Sequence, residues 1–300
     1  MAKKYGMPYK GSKARIAEWV VDTLPVGRRF VDLFCGGCSV THCAMLSNKW
    51  HDFLINDINP MIPQAFVKAA HGGFKGEDRW ISREDFFKLK DTDAYAAMCF
   101  SFGNNLRTYA FGKDLEPMKK AAHYAIFFGD MTFANELGIN ITLKGNTRAE
   151  RYSSWRAAIK AITERESFKR QECFERQQQL ESLQSLLALE SLSRLESLSR
   201  DYRDITIIEG DVVYCDIPYK GTDKYGNGFD HDAFYEWVLS RDFPVFVSEY
   251  QMPEDFTPIA SIGLRSLMNA KATQSLKTER IFVQRKYADA YTSELFGFNQ

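Results

Sequence analysis

The sequence has no run approaching 18 consecutive apolar residues, so it offers no membrane-spanning helix. Behind its first lysines, MAKKYGMPYKGSK has no apolar core, and a secretory leader is not expected. A cytoplasmic setting follows, in which the six cysteines stay reduced. Net charge is missing too: 39 Lys/Arg balance 39 Asp/Glu, which excludes coating of nucleic acid by bulk charge and leaves a local groove open. Cys35, Cys38, His42 and Cys43 begin on a CxxC spacing, but no second CxxC or HxxxH half follows, and Cys99, Cys173 and Cys215 stand singly. A zinc site needs both halves, so small residues in a tight turn are the better reading and no metal is expected. Neither the GxGxxG fingerprint nor a P-loop occurs, which removes the usual pyrophosphate cradles.

What is present is a chain of 300 residues, 45% of them hydrophobic. That suits one large domain, or a main domain carrying a smaller insert, with a substantial core. The balanced charge is unevenly spread. Residues 1–29 carry seven Lys/Arg against Glu18 and Asp22, and residues 144–176 carry nine against five Glu. Such runs are either solvated faces or the two flanks of a phosphate backbone.

The first third alternates strand and helix. RFVDLF (29–34) reads as a short apolar strand ending at a glycine pair, residues 40–47 as a helix and DFLIND (52–57) as a second strand. Strand, glycine turn, helix and strand within about thirty residues make a βαβ unit and a parallel sheet. The last third repeats the style with strands at ITII (205–208), VVYCD (212–216), PVFVSE (244–249) and RIFVQ (280–284), and a helix over residues 231–240. Between them, residues 85–200 have few strand signals and many aromatic, basic and polar side chains. We read 1–84 and 201–300 as one catalytic domain and 85–200 as an inserted, mainly helical module.

Within the insert, LESLQSLLALESLSRLESLSR (180–200) places leucine at every third position from Leu180 to Leu198. Three residues turn an α-helix by roughly 300°, so the stripe precesses instead of forming a heptad seam. It is either an arm packing against changing neighbours or an expanded triplet repeat tolerated because it is helical and soluble.

The turn DLFCGGCS (32–39) sits where a doubly wound sheet brings its backbone close to a nucleotide-like ligand. The second strand ends in Asn56-Asp57, with Asp57 21 residues past Gly36. An acid there accepts hydrogen bonds from ribose hydroxyls, or merely caps the turn before Asn59-Pro60. A ribose acid without a pyrophosphate cradle suits S-adenosylmethionine, an adenosine without phosphates. Downstream, VVYCDIPYKG (212–221) ends an apolar strand in Asp216, Ile217, Pro218 and Tyr219. A carboxylate and the next carbonyl are two acceptors for the two N–H donors of an exocyclic amino group, and the tyrosine ring offers a stacking face for an extruded base.

PYKGSK (8–13), DLFCGGCS (32–39), INDINP (55–60), Asp201-Tyr202 and YCDIPY (214–219) occur in an order that resembles the Dam-like, alpha-group (D12 class) DNA adenine-N6 methyltransferases. NNLRTYAFGKDLEP (104–117) resembles that family's basic, aromatic recognition segment. The resemblance implies a Rossmann-like S-adenosylmethionine-dependent methyltransferase sheet with an inserted target-recognition module. It covers nearly the whole chain, with the leucine repeat as an addition of the phage and prophage type, in a bacterial host or phage-infected cell. It further implies that Tyr9, Lys10 and Lys13 flank the methionine end of the cofactor, that Phe34 and Gly36 line its turn, that Asp57 holds the ribose, and that Asp201 and Tyr202 lie near the adenine. Two departures stand out: DPPY reads DIPY, and FxGxG reads Phe34-Cys35-Gly36-Gly37-Cys38, displacing the second glycine.

The expected reaction is direct methyl transfer to the N6 amino group of an adenine flipped from duplex DNA, with Asp216 and the Ile217 carbonyl as acceptors, Pro218 rigid between them and Tyr219 stacking. Cys215 precedes the acid on a strand and faces away, so a cysteine nucleophile is not expected. Asn105, Arg107 and Lys113 are the candidate DNA contacts, whether to guanine or only to phosphate. Glu249 and Tyr250 end the next strand without an assigned role. An RNA amino group or a protein glutamine amide as acceptor, and a non-catalytic protein using the leucine-rich arm, are the alternatives. The target sequence, a restriction partner and the oligomeric state are not legible.

Overall fold

The computed structural model describes residues 5–162, 170–186, 192–220, 228–265 and 276–292. The chain divides into two compact units: Met1–Gly6, Lys13–Gln64 and Leu187–Gln300 form the first, Met7–Ser12 and Ala65–Leu186 the second. The division falls inside helix Met61–Ala70, earlier than the composition change near residue 85, and again at 186 instead of 200.

The first unit is built on seven strands: β1 (Arg29–Asp32), β2 (Asp52–Asn56), β3 (Leu195–Leu198), β4 (Asp211–Cys215), β5 (Val245–Glu249), β6 (Phe256–Arg265) and β7 (Leu276–Gln284). Their order is β3-β2-β1-β4-β5-β7-β6. Strands β1 to β5 pair in parallel, and β7 is antiparallel to both β5 and β6. This is the expected Rossmann-like α/β sheet. The chain walks outward from β1 to β3, then returns to β4 on the other side of β1. The carboxyl ends of β1 and β4 therefore flank a topological switch point, where open α/β sheets bind ligands.

Both faces of the central strands are covered, so they read as continuous apolar runs instead of alternating ones. Val31, Val213, Cys215, Val245 and Val247 pack with Phe234, Trp237 and Val238 of helix His231–Leu239. On the other face Phe30 contacts Trp50 and Tyr214. The one polar atom that this face of β4 buries, the Tyr214 hydroxyl, is matched by Ser248 Oγ at 2.8 Å. At the amino ends of the strands, Arg29 makes a fork on Asp211, Nε to Oδ1 at 2.9 Å and Nη2 to Oδ2 at 2.6 Å, tying β1 to β4.

Two expectations are corrected. ITII (205–208) is not a strand; it follows a short 3-10 turn, Tyr202–Asp204, and Thr206 spends its carbonyl on the Arg29 guanidinium at 3.1 Å. The sheet's edge strand is instead Leu195–Leu198, inside the leucine repeat, paired in parallel with β2. A helical period of three therefore does not continue to residue 200. Helix Glu172–Leu186 ends earlier, residues 187–191 lie outside the described part, and the ladder offered by β2 overrides the helical preference of LESL.

The second unit contains helices Arg83–Leu89, Ala94–Phe100, Glu116–Phe128, Thr132–Glu136, Arg148–Ile162 and Glu172–Leu186. Ser82 and Asp93 cap two of them, accepting from the amides of Asp85 and Ala96 at 3.1 Å each. Ala122, Ile126, Trp155, Ile159 and Phe174 form its core, and Leu180 and Leu183 are buried, so the first turns of the leucine repeat are structural. Buried Lys119 locks helix Glu116–Phe128 to the start of the last helix, donating to Arg170 O and Glu172 Oε2, both at 2.6 Å.

Candidate active site

Strand β1 delivers Asp32 and then the turn Leu33 to Cys38. Three backbone restraints shape it: the Cys35 amide donates to Asn56 O at 2.9 Å, the Cys38 amide to Cys35 O at 2.6 Å, and the Gly36 amide to Asp57 Oδ2 at 3.1 Å. Gly36 has φ 46°, a conformation glycine adopts without strain. Gly6 packs so close that an added Cβ would lie 2.4 Å from Gly37 O. Its amide donates to His42 Nδ1 at 3.0 Å, and burial lowers that imidazole to about 4, so it stays neutral. The second glycine of the FxGxG pattern falls on Cys38, which takes a left-handed φ of 54°. Burial pushes both the Cys35 and Cys38 thiols up. Among the described residues no group of three His, Cys, Asp or Glu is placed to hold a metal ion.

Asp57 at the end of β2 is engaged at both oxygens, Oδ2 by Gly36 and Oδ1 by the Asn59 amide at 2.9 Å. Burial raises its pKa and the two amides pull it back. It acts as the turn acid and braces the glycine turn at once. Asp32 is buried, accepts from Thr41 Oγ1 at 2.6 Å, and is raised to about 7 by burial. Its Oδ1 has no hydrogen-bond partner.

Phe34 projects into an aromatic group with Tyr202, Phe229 and Phe234, at ring distances of 5.3, 5.6 and 5.7 Å. Asp201 is bound by the Arg203 guanidinium, at 2.8 and 2.7 Å, which holds its pKa below the usual range. The structure thus joins Phe34 to Tyr202 and Gly36 to Asp57. Tyr9 and Lys10 belong to the second unit, where the Lys10 amide donates to Asn104 O at 3.1 Å.

Strand β4 delivers Asp216 just beyond its last ladder residue. Ile217 is buried, anchoring the loop, and the Pro218 carbonyl accepts from His231 Nε2 at 2.7 Å. The Lys220 amide donates to Glu249 Oε2 at 3.2 Å, and the Tyr250 amide to Glu249 Oε1 at 2.7 Å, so Glu249 fastens the DIPY segment to the end of β5. Burial lifts the Glu249 carboxyl to about 7. The Tyr250 ring meets Tyr219 edge-on at 4.7 Å.

Lys13 lies at the centre. Its Nζ is 2.9 Å from Asp216 Oδ1, 2.6 Å from the Tyr219 hydroxyl, 3.5 Å from Glu279 Oε1, and 4.3 Å from the Tyr219 ring centroid. The Tyr219 hydroxyl also donates to Glu279 Oε1. Burial alone would lower the lysine's pKa, but Asp216 and Glu279 raise it, so the ammonium is retained. Burial raises Asp216 and Glu279, and Lys13 draws both back toward the ionised form.

Asn105, Arg107 and Lys113 lie on or beside a loop of the second unit closed by the Ser101–Tyr109 bridge. Asn105 is committed to that loop: its Oδ1 accepts from the amides of Arg107 and Thr108, and its Nδ2 donates to Thr108 Oγ1 at 2.7 Å. Arg107 and Lys113 are exposed, and Phe102 beside them is 65% exposed. Arg176, from the last helix, donates to Cys99 O at 2.9 Å and Ser101 O at 2.7 Å, holding the start of the loop.

Sequence reasoning missed Glu279, His231 and Phe102. Glu279 stands among polar neighbours in KTERIFV and, like His231 and Phe102, carries no signal without the fold.

Residues 9–119 match the family model described as D12 class N6 adenine-specific DNA methyltransferase. The match takes in Tyr9 to Lys13, the glycine turn, Asp57 and the loop bearing Asn105 and Arg107. It ends before β3, so the Asp216–Tyr219 segment rests on the geometry above. No curated protein matches the chain.

Proposed function

We propose, from the premise that this chain belongs through residues 9–119 to the D12 class of N6 adenine-specific DNA methyltransferases, that it methylates a flipped adenine in duplex DNA with S-adenosylmethionine as donor. The observation that carries the reading is the arrangement at the end of β4, beside the switch point. A carboxyl group paired with the Lys13 ammonium, a backbone carbonyl one residue on and an aromatic ring stand together on a loop pinned at Pro218 by His231 and at Lys220 by Glu249.

The acceptor's amino group has two N–H bonds. Asp216 accepts one and the Ile217 carbonyl the other, which fixes the nitrogen and directs its lone pair away from the ring plane. Tyr219 supplies the stacking face, and Asp216 stabilises the positive charge that grows on nitrogen. Extruding the base costs roughly a few kcal/mol. Stacking returns on the order of 1–3 kcal/mol per base.

The residues at the end of β1 and β2 fit S-adenosylmethionine on one observation: Asp32 Oδ1 is a buried carboxylate oxygen without a donor, suited to a cationic ammonium. Asp57 would hold the ribose and Phe34 with Tyr202 the adenine. Bound there, the donor supplies an electrophilic methyl on sulfonium. No described helix is long and apolar enough to cross a membrane. DNA contact falls to the loop bearing Arg107, with Lys113 and Phe102, in the second unit, whose target-recognition role is part of the proposal.

The test is transfer of tritium from labelled S-adenosylmethionine to unmethylated duplex DNA, by the wild type and Asp216→Ala. Label recovered as N6-methyladenine and lost in the variant supports the reading. Label appearing only on RNA or on a glutamine amide moves the acceptor. No transfer to any acceptor, from protein shown to bind the donor, leaves an interaction protein.

A further inference from the structure

The resting site holds a contradiction. The reaction places an amino group on Asp216 and a base on the face of Tyr219, yet the Lys13 ammonium lies against both residues, 2.9 Å from Asp216 Oδ1 and 4.3 Å from the ring centroid. An ammonium so placed presents N–H donors to the carboxylate and a cation to the ring, as a bound amino group and base would. It cannot simply leave for water, because its side chain is 10% exposed and desolvating a lone ammonium is costly.

A second carboxylate lies on the same cation. Glu279, on β7, is 3% exposed, places Oε1 3.5 Å from Lys13 Nζ, and accepts from the Tyr219 hydroxyl. The antiparallel pairing of β7 with β5 sets Arg280 opposite Glu249, next to the strand end where the DIPY loop is tied. Two cations on the same strand as Glu279 have contacts elsewhere. Lys277 lies 5.0 Å from the Tyr250 ring centroid, and Arg280 donates to Tyr250 O. Lys13 thus serves two acidic side chains with one ammonium.

We propose that Glu279 is the positioning residue that receives Lys13 when the acceptor base enters: the ammonium moves from Asp216 to Glu279, freeing Asp216 Oδ1 and the face of Tyr219, while Glu279 keeps the tyrosine hydroxyl in place. This rests on the adenine reading above and adds a displaceable lysine to it. The charge balance favours the exchange. With Lys13 on Glu279, Asp216 faces the amino nitrogen as an unpaired carboxylate, the state that best stabilises positive charge developing there. Without a charge at position 279, Lys13 has one partner only and remains on Asp216, a buried pair that is costly to break.

The pH profile separates this role from a structural one. Asp216 is faced by Lys13, by Tyr219 of its own loop, by Tyr214 and Cys215 of β4, by Asp32 of β1, by Glu249 and Tyr250 at the end of β5 and by Glu279. Glu279 is faced by Lys13, Tyr219, Asp216, Tyr214, Glu249 and Tyr250. Removing the charge of Glu279 removes a like-charge neighbour of Asp216 and leaves Lys13 wholly to it. Both changes lower the Asp216 pKa.

The experiment measures kcat against pH for wild type, Glu279→Gln, Lys13→Met and the double variant, with unfolding midpoints alongside. In Glu279→Gln the plateau of kcat is expected to fall about 10²-fold. Its acid limb should move to lower pH by about one unit. In the Lys13→Met background, adding Glu279→Gln should cost nothing further, because the two act through one contact. An unchanged plateau, an acid limb that does not move, or additive losses would each overturn the proposal. Should Glu279→Gln fail to fold, Glu279→Asp carries the test. It keeps the charge and shortens the reach, so a lowered plateau with an unmoved limb is expected, and wild-type kcat overturns it. A wild type that transfers no methyl to DNA overturns the adenine reading and this inference with it. An active wild type matched by an equally active Glu279→Gln overturns only the latter.

Discussion

Asn56 and Arg200 clasp each other like paired amides: Asn56 Oδ1 accepts from the Arg200 amide at 2.9 Å, and Asn56 Nδ2 donates to Arg200 O at 3.0 Å. The same Nδ2 donates to Leu33 O at 3.1 Å. One buried side chain thus joins the carboxyl ends of β1 and β2 to the chain leaving β3, directly behind the glycine turn. Asn56→Ala removes the partner of three backbone groups, two of them carbonyls. We expect a loss of about 2–4 kcal/mol, since each stranded buried group costs roughly 1–3 kcal/mol and the site partly relaxes. Urea unfolding measures it. A loss below 1 kcal/mol would mean the clasp does not hold the turn.

How much of this was legible in the sequence depends on the range of the interaction. Phe34, Gly36 and Asp57 were readable because strand, turn and next strand are local and the turn leaves a glycine. Asp216 to Tyr219 were readable because an apolar strand ended in a carboxylate, which burial alone does not explain. Glu279 was not. An acid between Thr278 and Arg280 looks like a solvated strand residue until β7 is seen beside β5 and Lys13 is found against it. Leu195–Leu198 failed for the opposite reason: its leucines invited a helical reading, and only the non-local partner β2 makes it a strand. Asn105 is a candidate DNA contact from the sequence, and only the fold reveals that its amide also organises its own loop.

Four buried titrating groups oppose one another in the pH dependence of stability. Asp32 and Glu249 are raised to about 7 by burial, so below that pH the native state holds protons that the unfolded chain has released. Their contribution falls as pH rises from about 4 to about 7. His42 and His123 are lowered to about 4 by burial, so the unfolded chain binds their protons first. Their contribution rises from about pH 4 to about 6.5. Asp32→Asn removes one falling contribution, and its unfolding midpoint should climb from pH 5 to 7 relative to wild type. Parallel curves for the two proteins would show that Asp32 is not held protonated.

The loop bearing Asn105 and Arg107, the proposed DNA contact, should separate shape from contact. Asn105→Ala frees the amides of Arg107 and Thr108 and leaves the Thr108 hydroxyl without its donor. DNA affinity should fall about tenfold, at about 1.4 kcal/mol per decade, with little change in its salt dependence, because no charge is lost. Arg107→Ala removes an exposed charge: affinity falls and the logarithmic salt slope drops by about one. Fluorescence anisotropy with a labelled duplex at several salt concentrations reads both. A reduced slope in Asn105→Ala would put that side chain's effect on the phosphates after all.

Cys38 occupies the position that the FxGxG pattern gives to glycine, and its φ of 54° shows why a glycine suits it. A side chain in the left-handed region costs roughly 1–2 kcal/mol. The thiol offsets part of this by burial, since Cys38 is fully enclosed and its Sγ lies 3.7 Å from Gly36 O. Cys38→Gly relieves the strain, loses a small buried group and adds backbone entropy to the unfolded chain worth roughly 0.5–1 kcal/mol. The three nearly cancel. We expect an unfolding free energy within about 1 kcal/mol of wild type and retained methyl transfer. Cys38→Val puts a branched side chain on the same backbone, strained by about 1–3 kcal/mol and too large for the enclosure. It should lose both stability and donor binding. Equal behaviour of the two variants would show that the turn relaxes around position 38, and that the displaced glycine places no demand on the site.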